Sequence, residues 1–187
     1  NIGTATSTVT VTDQTAPEIT APADGTLAAT DASGLASSDA SVQAWFATAS
    51  ASDNVDSSMT ITNDAPEILT IGSTVVTFTV TDAAGNSASA TATVTVADLT
   101  APVITAPAAI TLLGENDGLA ATDASVIDFL ASITASDNVD GAIASITNDA
   151  PADVFPLGDT TVTFTAIDVA GNTGTAQTVV TISLDIT

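Results

Sequence analysis

Apolar and polar residues alternate with a period of two along several stretches of this chain. Thr74 to Thr81 reads T-V-V-T-F-T-V-T and Thr160 to Ile167 reads T-T-V-T-F-T-A-I; Thr91 to Val96 and Thr178 to Ile182 continue the pattern. Alternating β-branched residues place one set of side chains on a buried face and the other in water, which predicts half-buried strands. Pro, Gly and Asn-Asp clusters interrupt the runs at the short intervals of an all-β sandwich. One stretch departs from this period. In Asp123 to Leu130 (D-A-S-V-I-D-F-L) an Asp precedes apolar residues at helical spacing, which predicts a capped helical turn, with Ser38 to Phe46 as its weaker counterpart. Trp45 and Phe46, with Phe129 and Leu130, are the expected core anchors, joined by Phe78 and Phe164 of the penultimate strands.

The pattern occurs twice. D-Q-T-A-P-E-I-T-A-P from Asp13 returns as D-L-T-A-P-V-I-T-A-P from Asp98. A-S-D-N-V-D returns from Ala51 at Ala135, I-T-N-D-A-P from Ile61 at Ile146, and D-A-A-G-N from Asp82 as D-V-A-G-N at Asp168. The offset stays between 84 and 86 residues, as single-residue loop insertions in two copies of one domain require. The repeats therefore span 13–97 and 98–187. The run from Asn1 to Asp13 matches that from Asn86 to Asp98, and residues 1–12 are expected to be the last strand of a preceding repeat, or else a strand donated to another subunit. The predicted fold class is all-β, as tandem immunoglobulin-like β-sandwiches arranged end to end.

Composition narrows the chemistry. The 187 residues include 22 acidic side chains and no Lys, Arg, His, Cys or Tyr, for a formal charge of −22. Without Cys there is no disulfide or thiolate ligand, and without His the commonest general base is missing. Without Lys or Arg nothing neutralises a nucleic-acid backbone, which excludes that partner. No apolar run approaches the roughly 18–20 residues of a bilayer span, so direct membrane insertion is not expected. Carboxylate, hydroxyl and amide groups remain: a ligand set for hard cations and a poor catalytic one. Glu18 and Glu67 are a conceivable glycosidase pair, yet Val103 and Ala152 stand at the corresponding positions of the second copy, and the chain reads as no enzyme.

The string P-L-G-D-T-T-V-T-F-T-A-I-D-V-A-G-N-T from Pro156 to Thr173, followed by Gln177 to Ile182, resembles the second half of a HYR (hyalin repeat) domain. The D-N-x-x turns at Asp53 to Asp56 and Asp137 to Asp140, and the D-x-T-A-P linkers, fall where that family has them. One departure stands out: Val55 and Val139 occupy positions where many HYR domains carry Cys. Cys-free copies look more like the tandem immunoglobulin-like repeats of giant bacterial surface adhesins. The resemblance implies an extended extracellular or cell-surface stalk, frequently rigidified by calcium.

The placement of the acids argues for calcium independently. Glu occurs only at positions 18, 67 and 115; the recurring acids are Asp residues in turns. In a sandwich of this kind the linker into the domain, the turn between its second and third strands, and the turn before its last strand share one pole. For the first repeat that pole collects Asp13, Asp53, Asp56, Asp82 and Asn86; for the second, Asp98, Asp137, Asp140, Asp168 and Asn172. Two carboxylates about 4 Å apart repel by roughly 4 kcal/mol at an effective dielectric near 20. No basic side chain is present to relieve this, and Ca2+, which accepts six to eight oxygens, is the expected cofactor. Turn chemistry alone also favours Asp and Asn at such places. Asp64 and Asp149 either turn the chain or reach the next repeat's site, and Asp39 and Asp123 read as solvated or capping.

The function these features support is a non-catalytic, calcium-rigidified spacer of a large bacterial surface adhesin, whose partners are the neighbouring repeats of its own chain. The alternatives are a subunit of a self-assembling extracellular filament or sheath, with strand exchange through residues 1–12, and a glycan- or protein-binding module. Trp45 as sole Trp speaks against the last.

Overall fold

The computed structural model describes residues 2–185. Asn1, and Ile186 and Thr187 of the second predicted repeat, lie outside the described residues. Residues 2–27 and 34–97 form one compact unit; residues 28–33 cluster with 98–185 in the other.

The first unit is built from β1 (Glu18–Thr20), β2 (Gly25–Ala28), β3 (Leu35–Ala36), α1 (Ala40–Phe46), β4 (Ser50–Ser52), β5 (Ile61–Asn63), β6 (Ile68–Leu69), β7 (Gly72–Thr81) and β8 (Ser87–Ala97). Its main sheet has the order β2-β8-β7-β5, while β1 pairs with β4 and β3 with β6. The long β7–β8 hairpin runs from Gly72↔Val96 to Thr81↔Ser87. This register sends Val76, Phe78, Val80, Val94 and Val96 inward, all essentially buried. The intervening Thr and Ser residues face outward, which is why the sequence alternates.

The second unit repeats the scheme with β9 (Val103–Thr105), β10 (Ile110–Gly114), β11 (Leu119–Ala120), α2 (Ala124–Ala131), β12 (Thr134–Asp137), β13 (Gly141–Ala142), β14 (Ile146–Asn148), β15 (Val154–Phe155), β16 (Gly158–Ile167) and β17 (Thr173–Leu184). The four-stranded sheet β10-β17-β16-β14 faces the three-stranded sheet β13-β12-β9, and β11 pairs with β15. β10 runs parallel to β17, from Ile110↔Val180 to Gly114↔Leu184. Between the sheets Val126, Phe129, Phe155, Val162, Phe164, Val180 and Ile182 form one core. Each unit is a β-sandwich, as the alternation predicts.

Both predicted helical turns are present and longer than expected. Asp39 caps α1 by accepting from the Ser41 amide and hydroxyl, and Asp123 does the same for α2 through Ser125. Of the expected anchors, Phe78, Phe129 and Phe164 are buried, whereas Trp45, Phe46 and Leu130 are half-buried. Trp45 lies on α1, its ring centroid 5.8 Å from that of Phe78.

Gly34 and Gly118 are equivalent positions where glycine is required. Their φ values are +114° and +107°, and a Cβ at either would collide with the carbonyl oxygen of Leu69 or Phe155. None of residues 2–12 lies in a strand; the strand expected there would pair within a preceding repeat or with another subunit. Val9 and Val11 are 84% and 91% exposed. A period-two pattern becomes a strand only when a neighbour supplies the ladder hydrogen bonds, and these residues have no such neighbour.

Two outcomes follow. Phe164→Ala empties the centre of the second core and lowers the unfolding free energy by about 3–5 kcal/mol, read from the shift of a urea midpoint. The second concerns Asp123, whose carboxyl is held below its ordinary value by the Ser125 hydroxyl and amide. A lowered native pKa means the unfolded chain takes the proton first, so this stabilisation is complete above the ordinary value of about 3.9 and is lost as pH falls through the native one. Asn can occupy the same cap but carries no charge to strengthen the hydrogen bonds from Ser125 and does not titrate. The melting temperature of the wild type should therefore exceed that of Asp123→Asn by a constant margin at neutral pH and lose that margin below about pH 4; a margin unchanged by acid refutes the role of the charge.

Candidate metal centre

Three turns supply each acidic cluster, and each turn is a local hydrogen-bonded structure in its own right. Asp13 Oδ1 accepts from the Thr15 amide at 3.0 Å, forming an Asx-turn where the chain leads into β1. Asp53, just after β4, accepts from the Val55 and Asp56 amides at 2.8 and 3.0 Å, again through Oδ1. Asp82, at the end of β7, accepts from the Asn86 amide through Oδ1 and from the Asn86 side-chain nitrogen through Oδ2, both at 2.7 Å. Gly85, with φ +94°, lets this turn close into β8.

The second unit reproduces the set. Asp98 accepts from the Thr100 amide, Asp137 from the amides of Val139 and Asp140, and Asp168 from the amide and side chain of Asn172. One carboxylate oxygen from each of Asp13, Asp53 and Asp82 lies within 4.8 Å of the others, and the same holds for Asp98, Asp137 and Asp168. Asp82 and Asp168 are buried, each 7% exposed; the other four are half-buried.

Four oxygens in these clusters are anomalous. Oδ2 of Asp13, Asp53, Asp98 and Asp137 is buried and has no hydrogen-bond partner. A buried polar atom without a partner is costly, and an anionic oxygen most of all. In every case Oδ1 is anchored to the turn backbone, so the unpartnered Oδ2 is held where it is and cannot turn away to water without breaking the Asx-turn. Hydrogen bonds from Asp56 and Val55 hold the Asp53 carboxyl below its ordinary pKa. For Asp168, burial pushes the pKa up, but the hydrogen bonds from Asn172 together with the Gly171 and Ala170 amides leave it lowered. Asp53 and Asp168 are therefore anionic at neutral pH.

The remaining predicted residues occupy a surrounding layer. Asp56 Oδ2 accepts from the Ala83 amide and Asp140 Oδ2 from the Val169 amide, both at 2.7 Å, tying the turn after β4 or β12 to the turn before β8 or β17. Asn86 and Asn172 direct their side-chain nitrogens at Asp82 and Asp168, and also at the backbone carbonyls of Asp13 and Asp98 at 3.5 and 3.3 Å. Each Asn thus orients a clustered carboxylate and fastens the linker beside it. That linker carbonyl carries no side-chain signature, so no sequence pattern reveals it. Asp64 and Asp149 stand apart from the clusters: each accepts from a strand amide, of Thr77 or Thr163.

The donor set fits a hard divalent cation. All the clustered ligands are oxygens, the chain has no cationic side chain to compete for them, and Ca2+ binds oxygens at 2.3–2.6 Å. Two oxygens on opposite sides of one such ion stand roughly 4.8 Å apart at a bond length of 2.4 Å. A separation within that limit lets all three carboxylates share one ion.

Comparison with known proteins places the chain in a family. The model of the HYR domain matches residues 12–96 and again residues 97–182. Hyalin of Strongylocentrotus purpuratus is 34% identical over 171 residues, 89% of this chain and 14% of that protein. Hyalin of Lytechinus variegatus is 34% identical over 184 residues, 96% of this chain and 33% of that protein. The chain thus spans a third or less of either relative. Among solved structures, Drosophila N-cadherin EC1-4 is 16% identical with a TM-score of 0.39, covering 90% of this chain and 50% of that one. Protocadherin gammaB7 EC3-6 is also 16% identical, with a TM-score of 0.33, covering 90% and 51%. No helix among the described residues is long and apolar enough to cross a membrane. With one family match over each copy and two hyalins aligned across nearly its whole length, the chain belongs to the HYR domain family and is an extracellular or cell-surface repeat protein.

Proposed function

We propose that the chain is a calcium-rigidified, non-catalytic structural segment of a large surface adhesin, with repeats at 13–97 and 98–187. The observation that carries this is the pair of unpartnered, buried carboxylate oxygens in each cluster. Asp13, Asp53 and Asp82 would hold one ion, and Asp98, Asp137 and Asp168 another. Asp56, Asn86, Asp140 and Asn172 complete the surroundings, by direct ligation or by fixing the ligands. When bound, the ion supplies the positive charge that the side chains lack.

The mechanical reading rests on chain connectivity. Asp98 directly follows Ala97, the last residue of β8. An ion held by Asp98 together with Asp137 and Asp168 would leave no slack between the last strand of one repeat and the turns of the next. Residues 2–12 would complete a preceding repeat as β8 completes the first. The missing Cys in both copies supports a bacterial adhesin.

Because metal binding contributes to folding by mass action, calcium at 100 times its dissociation constant adds about 2.7 kcal/mol per site, roughly 10–20 °C in melting temperature for a domain of this size. Titration of calcium into chelator-treated protein, read by calorimetry and thermal melting, should show this rise. Asp137→Asn provides a sign test, since Asn preserves the Oδ1 turn but removes a negative charge. The variant should melt no lower than wild type in EDTA and clearly lower in calcium. Absence of both heat and stabilisation at millimolar calcium overturns the proposal.

A further inference from the structure

The two copies differ where α1 meets the main sheet of the first unit. There a cavity of about 570 Å3 opens between the helix, β5 and β7. Phe46, Met59 and Ile61 give it an apolar side above the buried Phe78, and Ser37, Gln43 and Asn63 stand around it with hydroxyl and amide groups. The volume lies within the range of small-molecule sites, and the open lining presents more polar than apolar surface. No acidic residue lines it, in a chain with 22 of them.

The second copy shows what makes the space. The caps Asp39 and Asp123 align the two helices, which pairs Gln43 with Ile127, Phe46 with Leu130 and Ala49 with Ile133. Leu130 and Ile133 pack onto the second core. In the first copy the β-branched Ile is replaced by Ala49, which lines the cavity, and an aliphatic surface residue by an amide. The first copy also concentrates its aromatic side chains here: Trp45 and Phe46 have ring centroids 5.6 Å apart, and Phe46 stands 6.0 Å from Phe78. Asn63 Oδ1 accepts from the Ala65 amide, so its nitrogen remains to donate outward. Gln43 donates to the Ser37 carbonyl, leaving its oxygen to accept.

We infer that this cavity is a binding site for a neutral hydroxylated ring, that is, one pyranose unit of an uncharged saccharide. The ring's C–H face would rest on the apolar wall around Phe46 and Met59, while its hydroxyls meet both donors and acceptors on Gln43, Asn63 and Ser37. An anionic sugar is disfavoured by the surrounding charge, and a purely apolar ligand leaves the amides unused. The cavity shares no residue with the Asp13–Asp53–Asp82 cluster, so the inference stands apart from the calcium proposal.

Trp45 is the sole Trp and the chain has no Tyr, so near-ultraviolet emission reports on this region alone. The full chain is titrated with methyl glycosides of glucose, galactose and mannose into the millimolar range, once in calcium and once in EDTA. At least one glycoside should give a saturable emission change. Ala49→Ile, which installs the residue of the second copy, should weaken that binding by about tenfold or more while leaving the far-ultraviolet circular dichroism intact. Gln43→Ile, on the exposed helix face, should do the same if the first variant misfolds. No saturable response to any glycoside overturns the inference, as does equal binding by both variants. Saturable binding of cyclohexanol with none of the glycosides overturns it too.

Discussion

Like-charge repulsion inside a chain that has no positive side chain is the constraint on which this structure turns. Three carboxylates from three separate turns are brought within 4.8 Å of one another, twice over. The turns hold them there by backbone hydrogen bonds to Oδ1 that form whether or not a counter-charge is present. The energetic conflict is thus built into the fold, in that the hydrogen bonds that satisfy each turn also fix the other oxygen in a dry, anionic cluster. A hard cation, as proposed above, would resolve the conflict with the chemistry available, and the HYR family membership goes with a location outside the cell or at its surface.

The scaffold around the clusters is economical. Long hairpins, β7–β8 and β16–β17, set their inward residues by alternation alone, and two short helices with Asp caps cover part of each sheet. Because the same turns recur in both copies while the residues around α1 and α2 do not, the two kinds of position answer to different demands. The turns preserve a charge arrangement. The helix surroundings differ in residue size: Leu130 and Ile133 pack against the core of the second copy, while Ala49 lines a cavity in the first.

Much of this was legible in the sequence. The period-two runs from Thr74 and Thr160 located the long strands, and the D-A-S-V-I-D-F-L stretch located α2, because its Asp and its apolar spacing act locally. The repeated D-N-V-D and D-x-A-G-N turns brought Asp53 and Asp82, with Asp13, to one place as expected. What was not legible was the division of roles within the set. That Asp56 would bind the Ala83 amide, or that Asn86 would present its nitrogen to Asp82, depends on where neighbouring turns sit in three dimensions. The run through residues 2–12 has the strand pattern without the strand, since pairing is a property of two segments and not of one. The cavity beside α1 could have been noticed by aligning Ala49 with Ile133, although a size difference between copies does not say where the missing volume opens.

The parallel pairing of β10 with β17 has a mechanical meaning. The chain enters the pair at Ile110 and leaves it at Leu184, at opposite ends of five matched residue pairs. A pull on the two termini of this unit slides one strand along the other, so the hydrogen bonds between them resist together as a sheared patch. In an antiparallel hairpin the same pull would open them singly, like a zip. A segment so connected yields late and abruptly under traction.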